Sequence, residues 1–391
     1  MNILTINAGS SSLKFKIFRY QIKGTATVLL QGQIANINQT KSELTLKNML
    51  GGTVISQELT LGTNPYQAAI EYLSKHPSFI KYNLGIVINR VVHGGDEYKD
   101  ILLLHARTLV ALSKYNELAP LHQPYNLLIA KHFMELYPKL KHYACFDTAF
   151  HQTMLPINRV YALPTKYAEA GIKRYGFHGL SYQYISSRLP SLVEHKLAKG
   201  CWIIAHLGSG SSICGIKNGK SVVTTMGFSV AEGLPMTTRC GELDPAIPMY
   251  LASKYKLSEA QLNDILYYQS GLLGLSNNIS GDMLTLLKSD EAAAKFAIKF
   301  YCLHVASYIT KLATALGGMH GIIFTGGIGE NSSEVRALVV DYLEWLNISL
   351  SKKANKANKL RINKKECTVK VLVVPTNEEL AMVNQFFERD K

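Results

Sequence analysis

A turn near the start of the chain, residues 7–14, carries groups that could hold a phosphate. Its backbone N–H groups, the hydroxyls of Ser10 and Ser12, and the ammonium of Lys14 are all suitable donors. Apolar runs on both sides of the turn predict two strands joined as a hairpin. A serine-rich hairpin that binds nothing would have the same pattern, so this stretch alone leaves both interpretations open.

The same pattern returns past the middle of the chain. The apolar run 201–207 ends in the glycine- and serine-rich stretch 208–212, and a second apolar run and an Asn218-Gly219 turn follow. A duplication of this kind predicts two similar halves around a shared cleft, each with a phosphate-holding hairpin. That arrangement is typical of the actin, hexokinase and heat-shock-chaperone superfamily of ATP users.

Charged residues occur at two predicted strands in the first half. Arg90 interrupts the apolar strand 84–92, where a buried guanidinium is costly unless it meets an anion, which could equally be a structural salt-bridge partner. Asp147 follows the strand 143–146, at the end where α/β proteins place ligands. A helix cap would explain Asp147 as well, so both interpretations stay open.

The second half contains several irregular, glycine-rich loops. His178 lies between two glycines, which favours a functional role over packing, and the loop 232–245 carries Arg239. A strand at 320–325 is followed by the glycine turn 326–331 and by a helix predicted from Ser332. Backbone N–H groups at such a turn and helix start form an anion or nucleotide site.

Composition indicates a globular protein of two domains. The chain has 391 residues, of which 47% are hydrophobic and 18% charged. We predict one lobe from residues 1–150 plus 376–391 and another from residues 151–375. No apolar run approaches the ~20 residues of a membrane span, and no signal-peptide pattern opens the sequence. We therefore expect a cytoplasmic protein that does not enter the membrane.

The net charge and the spacing of the cysteines indicate which ligands the chain could bind. The net charge of +14 suits an anionic small substrate, and the lysine-rich segment 352–365 is interpreted as a solvated surface. We therefore do not expect nucleic-acid binding. The six cysteines lack CxxC spacing, which favours reduced thiols over a zinc site.

Taken together, the chain resembles the acetokinase family over nearly its whole length. Seven motifs in the family's order carry the resemblance: residues 7–14, 90–95, 119–122, 146–151, 174–179, 325–331 and 375–379. The resemblance implies an α/β fold of two lobes of duplicated ribonuclease-H-like βββαβαβα topology, the actin-like ATPase fold, around an active-site cleft. It assigns the acyl and metal side to the first lobe, and nucleotide binding and homodimer formation to the second.

The family reaction is reversible phosphoryl transfer between ATP and acetate, giving acetyl phosphate and ADP with Mg²⁺, or Mn²⁺ in its place. Because acetate is already ionised, the difficulty is to bring two anions together. Two like charges ~4 Å apart repel by about 4 kcal/mol at an effective dielectric constant of ~20. We therefore expect positioning and charge neutralisation to dominate catalysis.

The resemblance also implies roles for individual residues. The catalytic set is Asp147, Arg90, His178 and Arg239, with Asp147 expected to orient its neighbours; Asn7 and Glu378 help to hold the metal. Substrate contacts are implied for Arg90, Val92, Leu121, His122 and Phe177. Nucleotide contacts are implied for Lys14, Ser10, Ser12, His206, Leu207, Gly208, Ser209, Gly210, Asp282, Met283, Leu284, Gly327, Ile328, Gly329, Glu330 and Asn331.

The chain departs from the family pattern at several positions near these residues. The family usually has asparagine at Ser209, glycine at Thr237, aspartate at Glu242, proline at Val230, histidine at Asn89 and Tyr182, and asparagine at Gln123. It also usually has an arginine at Leu284, near the adenine. Loss of that guanidinium could weaken or broaden nucleotide selectivity. One extra methylene group on a substrate changes its binding free energy in a hydrophobic pocket by only ~1–3 kcal/mol. The sequence therefore does not indicate whether acetate or propionate is preferred.

Overall fold

The computed structural model describes residues 1–9, 12–21, 25–37, 39–48, 52–120 and 122–389. Ser10 and Leu121, two predicted site residues, lie outside the described residues. The strands of the described part are β1 (Asn2–Ala8), β2 (Ser12–Gln21), β3 (Thr25–Ala35), β4 (Ser42–Asn48), β5 (Thr53–Leu59), β6 (Leu84–Val91), β7 (Leu102–Leu104), β8 (Lys141–Phe146), β9 (Cys201–Leu207), β10 (Ser211–Lys217), β11 (Lys220–Thr224), β12 (Gly321–Thr325) and β13 (Lys370–Val373).

Helices are distributed over the whole described chain. They are α1 (Pro65–Lys75), α2 (Pro77–Ile80), α3 (Ala106–Ser113), α4 (Gln123–Leu136), α5 (Thr165–Glu169), α6 (Gly179–Leu192), α7 (His195–Ala198), α8 (Ala246–Tyr255), α9 (Glu259–Tyr268), α10 (Gly271–Leu275), α11 (Met283–Leu287), α12 (Ala292–Leu316), α13 (Gly326–Asn331), α14 (Ser333–Asp341), α15 (Lys352–Lys356) and α16 (Glu378–Glu388). No helix among the described residues has both the length and the apolar character needed to cross a bilayer.

The chain divides into two compact units. The first unit comprises Met1–Phe150 and Asn377–Lys391, and the second comprises His151–Thr376. The roles predicted for the two lobes stay predictions.

The first unit is built on an eight-stranded sheet in the order β5-β4-β3-β2-β1-β6-β8-β7. β1 pairs antiparallel with β2 and parallel with β6, and β6 pairs parallel with β8. These central strands are buried along almost their whole length, as their continuous apolar sequences require. Because β1, β6 and β8 run in the same direction, residues at their carboxyl ends lie side by side.

The second unit is built on a five-stranded sheet in the order β11-β10-β9-β12-β13. β9 and β10 form the predicted second hairpin, and β9, β12 and β13 are parallel. The order and direction of these five strands match β3-β2-β1-β6-β8 of the first unit. The prediction of a duplicated α/β fold is therefore confirmed.

The glycine turn 326–331 differs from the prediction. We expected a turn with a helix only from Ser332, whereas residues Gly326–Asn331 are themselves helical. Glycine disfavours helix, but a local side-chain contact compensates, because the Glu330 carboxylate accepts a hydrogen bond from Gly326 N, at the start of the same helix, at 2.8 Å. Ser332 then caps α14 by accepting from Val335 N. A second short helix, α10, lies inside the stretch 270–282.

Candidate active site

Arg90 is the centre of a charged cluster in the first unit. Its Nε donates to Asp147 Oδ1 at 2.9 Å and its Nη2 donates to Asp147 Oδ2 at 2.5 Å. Its Nη1 donates to Asn7 Oδ1 at 2.9 Å and lies 3.6 Å from Glu378 Oε2. Asn7 Nδ2 in turn donates to the same Glu378 oxygen at 3.0 Å. The structure thus brings four predicted site residues into one network, with a two-point guanidinium–carboxylate pair at its centre.

The cluster follows directly from the sheet. Asn7, Arg90 and Asp147 stand at or just past the carboxyl ends of β1, β6 and β8, and Glu378 opens α16. Burial would lower the pKa of Arg90, but the charges of Asp147 and Glu378 outweigh it and raise the pKa above its ordinary value. The guanidinium therefore stays charged. The structure confirms a salt bridge for Arg90, and its contact with a ligand anion stays a prediction.

The cluster also suits a hard cation. One guanidinium and two carboxylates leave one negative charge in excess, and Asn7 and Glu378 offer oxygen ligands. Mg²⁺ prefers oxygen and usually binds one or two carboxylates together with water and phosphate. The described residues contain no group of three or more His, Cys, Asp or Glu residues that could hold a metal. The fit is therefore to a cation that shares its coordination with water and a phosphorylated ligand.

Two features of the first unit support the cluster. Lys16 Nζ binds Glu379 Oε2 at 3.0 Å and Asn377 Oδ1 at 3.2 Å, on both sides of Glu378. Asn126 of α4 donates to Ala8 O at 2.9 Å and accepts from Val92 N at 3.0 Å, so it joins the ends of β1 and β6. Sequence reasoning missed Asn126, although an amide on the buried face of a helix is itself a signal.

Other predicted residues of the first unit occupy varied environments. Lys14 is exposed and lies on β2 opposite Asn7, and Ser12 begins the same strand. His122 precedes α4, and Val92 is buried. Their contacts with ligands stay predictions.

The second unit brings Arg239 and His178 to the tip of the second hairpin. A Cβ atom placed on Gly210 would lie 3.2 Å from Arg239 Nη2 and 3.3 Å from His178 Nε2. At this tip, Ser211 Oγ donates to Gly208 O at 3.0 Å. Even a methyl group at position 210 would crowd the ends of both side chains, so the glycine-rich turn and the two polar residues lie close together.

A chain of hydroxyl groups orients His178. Its Nδ1 lies 2.8 Å from Ser212 Oγ, which also contacts the hydroxyl of the buried Tyr182 at 2.5 Å. Burial raises the pKa of Tyr182 well above its ordinary value, so its hydroxyl stays protonated. Because Nδ1 is engaged with Ser212, Nε2 is the nitrogen that faces Gly210. The His178 ring also lies 4.4 Å from the ring of His206, centre to centre.

Arg239 has a different environment from Arg90. Its Nη1 donates to Val230 O at 2.7 Å, and burial lowers its pKa. No carboxylate forms an ion pair with Arg239 among the residues that the structure describes. A partly buried positive charge with only neutral partners favours binding of an anion.

The predicted nucleotide residues lie in short, tightly bonded segments. Glu330 Oε1 accepts from Gly326 N at 2.8 Å and from Thr376 N at 3.0 Å, so this carboxylate holds backbone rather than pointing outward. Asp282 caps α11 by accepting from Thr285 N at 2.9 Å, and Met283 is buried. Leu284, where the family usually has arginine, is 61% exposed, so a ligand could reach its side chain.

A buried arginine that sequence reasoning missed supports α13. Arg336 is fully buried, and its Nη1 donates to Gly329 O at 2.8 Å and Glu330 O at 3.0 Å. Its Nε donates to Asn355 Oδ1 at 2.8 Å. Burial lowers the pKa of Arg336 to about 10. It therefore satisfies the carbonyl groups at the end of the glycine-rich helix, which would otherwise lack partners.

Comparisons with known proteins agree over the full chain. The profile of the acetokinase family matches residues 2–384. An acetate kinase from Rickettsia felis is 39% identical over 384 residues, covering 98% of both chains. A crystal structure of a propionate kinase from Francisella tularensis superposes with a TM-score of 0.90 at 31% identity, covering 98% of both chains. An acetate kinase from Porphyromonas gingivalis superposes with a TM-score of 0.86 at 32% identity, covering 100% of both chains.

Proposed function

The chain belongs to the acetokinase family, and from this premise we propose that it is an ATP-dependent acetate kinase. An acetate oxygen attacks the γ-phosphorus of ATP, the bond from phosphorus to the ADP oxygen breaks, and acetyl phosphate and ADP result. The observation that most supports this reaction is Arg239, a partly buried cation beside His178 and the tip of the second hairpin, with no carboxylate partner among the described residues. A phosphoryl group is the anion that this set of donors would bind.

The reaction requires no base, because acetate is ionised at neutral pH. Asp147 makes two hydrogen bonds to Arg90, so its role is to orient that guanidinium and hold its charge in place. Arg90 in turn would hold the substrate carboxylate in position. Positioning and charge stabilisation of this kind carry most of the catalysis in phosphoryl transfer.

His178 and the second hairpin would act on the phosphates. With Nδ1 held by Ser212, His178 Nε2 can donate a hydrogen bond to a phosphoryl oxygen. The backbone N–H groups of Ser209 and Gly210 would contact the same chain of phosphates, while Gly208 N donates to Ser211 Oγ at 3.3 Å. Each of these donors gains strength as negative charge spreads over the transferring group.

Magnesium would be held by Asn7 and Glu378, with Mn²⁺ as a substitute. When bound, the ion neutralises phosphate charge and fixes the orientation of the nucleotide. The hydrogen bond between Asn7 and Glu378 keeps both oxygen ligands on one side of Arg90.

Val92, which is buried in the first unit, would contact the acyl group. A propionate kinase is among the structural neighbours, so a short-chain carboxylate kinase with a wider preference is the alternative within the same family. We further propose that the protein is cytoplasmic and forms a homodimer through the second unit, which light scattering of the purified protein would test.

The deciding experiment traps the acyl phosphate with hydroxylamine. The purified protein is incubated with ATP, Mg²⁺ and one acid at a time: formate, acetate, propionate or butyrate. The hydroxamate that forms is measured colorimetrically. The expected result is that acetate gives the highest yield and that chelation of the metal abolishes it. ADP binding by calorimetry without hydroxamate from any acid would instead show a nucleotide-binding protein that does not turn over.

A further inference from the structure

Thr237 makes an unusual pair of contacts with the tip of the second hairpin. Its Oγ1 donates to Ser209 O at 3.0 Å, and its backbone N–H donates to the same oxygen at 3.3 Å. A single carbonyl group at the tip is thus held by two donors from one residue. The side chain contributes the shorter of these two bonds.

Thr237 lies inside a tight turn that also carries Arg239. Met236 N donates to Arg239 O at 3.0 Å, which closes the turn, and Leu273 N donates to Thr237 O at 3.0 Å. The neighbouring Thr238 points elsewhere, since its hydroxyl donates to Tyr267 O at 2.7 Å. The turn is therefore fixed to the segment around α10, and Thr237 is the residue that connects it to the hairpin.

The methyl group of Thr237 contacts a third segment. A Cβ atom placed on Gly281 would lie 2.6 Å from Thr237 Cγ2 and 2.8 Å from Thr237 O. Gly281 precedes Asp282, which caps α11. Thr237 therefore touches the hairpin tip with its hydroxyl and the start of the predicted adenine segment with its methyl group.

We propose that Thr237 is a positioning residue that fixes the hairpin tip and residues 281–284 relative to Arg239, and so sets the affinity for the nucleotide. This inference rests on the proposed function, because it takes these segments as the nucleotide site. Thr237 itself need not touch the nucleotide. Its hydroxyl holds the Ser209 peptide group, whose neighbours present N–H groups to the phosphates, and its methyl group holds the loop before α11.

The following variants test the hydroxyl group and the methyl group of Thr237 separately. They also control for a general loss of stability. Thr237→Val keeps the shape and removes the hydroxyl, whereas Thr237→Ser keeps the hydroxyl and removes the methyl group. Thr238→Val is the matched control, because it removes a similar hydroxyl–carbonyl bond from the same turn without a contact to Ser209. Thr237→Ala repeats the hydroxyl test if the valine variant folds poorly.

The measurements are the Kd of ADP by calorimetry, the KM values of ATP and acetate, and the melting temperature. Thr237→Val is expected to raise the Kd of ADP and the KM of ATP by about 2- to 10-fold, the effect of one hydrogen bond, with the KM of acetate unchanged. Thr237→Ser is expected to keep nucleotide binding closer to wild type than Thr237→Val does. Thr238→Val is expected to lower the melting temperature and leave the Kd of ADP unchanged.

Two outcomes would overturn the inference. The first is wild-type nucleotide binding in Thr237→Val and Thr237→Ala. The second is an equal loss of binding in Thr238→Val, which would assign the effect to general stability. Failure of the proposed function looks different, because wild-type protein would then form no hydroxamate while the comparison of ADP affinities still decides the role of Thr237.

Discussion

Arg90 of the first unit and Arg239 of the second unit are both largely withdrawn from water, yet their surroundings are opposite. Arg90 meets two carboxylates, which raise its pKa against the effect of burial. Arg239 meets the carbonyl oxygen of Val230, and burial lowers its pKa. The first arginine is neutralised when the unit folds, whereas the second keeps a charge that folding does not compensate.

This difference separates two ways to prepare a site for anions. The first unit holds its guanidinium in a fixed position by means of built-in counter-charges. The second unit carries a charge that no carboxylate among the described residues balances. Binding of an anion would offset the free-energy cost of burying that charge. We therefore expect both arginines to matter for activity, but for different reasons, and only one of them to matter for stability.

The largest expected effect is on turnover. Arg90→Ala and Arg239→Ala should each lower kcat by about 10³-fold or more, the scale of a transition-state arginine in phosphoryl transfer. The hydroxamate assay at saturating ATP and acetate measures it. Arg361→Ala, a change at an exposed arginine outside the proposed site, is the control. Near-normal turnover in both site variants would refute the charge-neutralisation account.

The next largest expected effect is on stability, which a substitution of Arg90 should lower more than a substitution of Arg239. Arg90→Met leaves the buried Asp147 carboxylate without its main partner and should destabilise the first unit by about 3–5 kcal/mol. Arg239→Met removes a charge that has no carboxylate partner, so the free energy of unfolding should change by about 1 kcal/mol or less. Urea unfolding followed by amide hydrogen exchange resolves the two units.

The double variant Arg90→Met/Asp147→Asn checks the reason for this loss. Because it removes both charges, it should recover part of the stability that Arg90→Met loses. Equal destabilisation by Arg90→Met and Arg239→Met would show that the two environments do not differ energetically.

Each unit also has a buried histidine that should respond to acid. Burial lowers the pKa of His93 in the first unit and of His151 in the second, each to about 4. Both rings are neutral in the folded state at pH 7, and the unfolded chain takes up protons first as the pH falls. Stability should therefore be complete above pH 6.5 and fall between pH 6.5 and 4, by roughly 3 kcal/mol for each histidine.

Urea midpoints measured at pH 7.5, 6 and 5 test this pH dependence. His151→Gln should flatten the curve for the second unit and leave the curve for the first unchanged. A midpoint that does not move between pH 7.5 and 5 in the wild-type protein would contradict the neutral, buried state of both rings.

The smallest expected effect concerns Leu284. Leu284→Arg would give the second unit another arginine at an exposed position beside the start of α11. If a nucleotide base lies there, a guanidinium packed against it should lower the KM of ATP by about 2- to 5-fold, as expected for 0.5–1 kcal/mol. Leu284→Met is the uncharged control. An unchanged KM would place the base elsewhere.

Local patterns in the sequence were enough to predict the two hairpins, the strand that bears Arg90 and the strand that precedes Asp147. A short apolar run predicts a strand, and glycine with polar neighbours predicts its turn, so these elements depend on short stretches. The sequence also offered Arg90 two interpretations, a salt bridge or an anion site. The structure shows the salt bridge, because Asp147 stands at the end of the adjacent strand, and the anion site stays a prediction.

Side chains that act over long sequence distances were not predictable in the same way. Asn126 joins β1 to β6, Ser212 and Tyr182 orient His178, and Thr237 holds Ser209. The sequence marks some of these positions, such as the amide of Asn126 on the buried face of its helix, but it does not show what each residue contacts. Its partner is chosen only when separate segments pack together, so no local pattern signals it.

The sequence by itself therefore determined which elements form and which charged residues follow them. Only the tertiary structure decided that Asn7 meets Glu378 from the far end of the chain, that Arg90 is neutralised by carboxylates, and that Arg239 is not. The physical reason is that backbone preferences act within a few residues, whereas the cost of a buried charge depends on every group that packing brings around it.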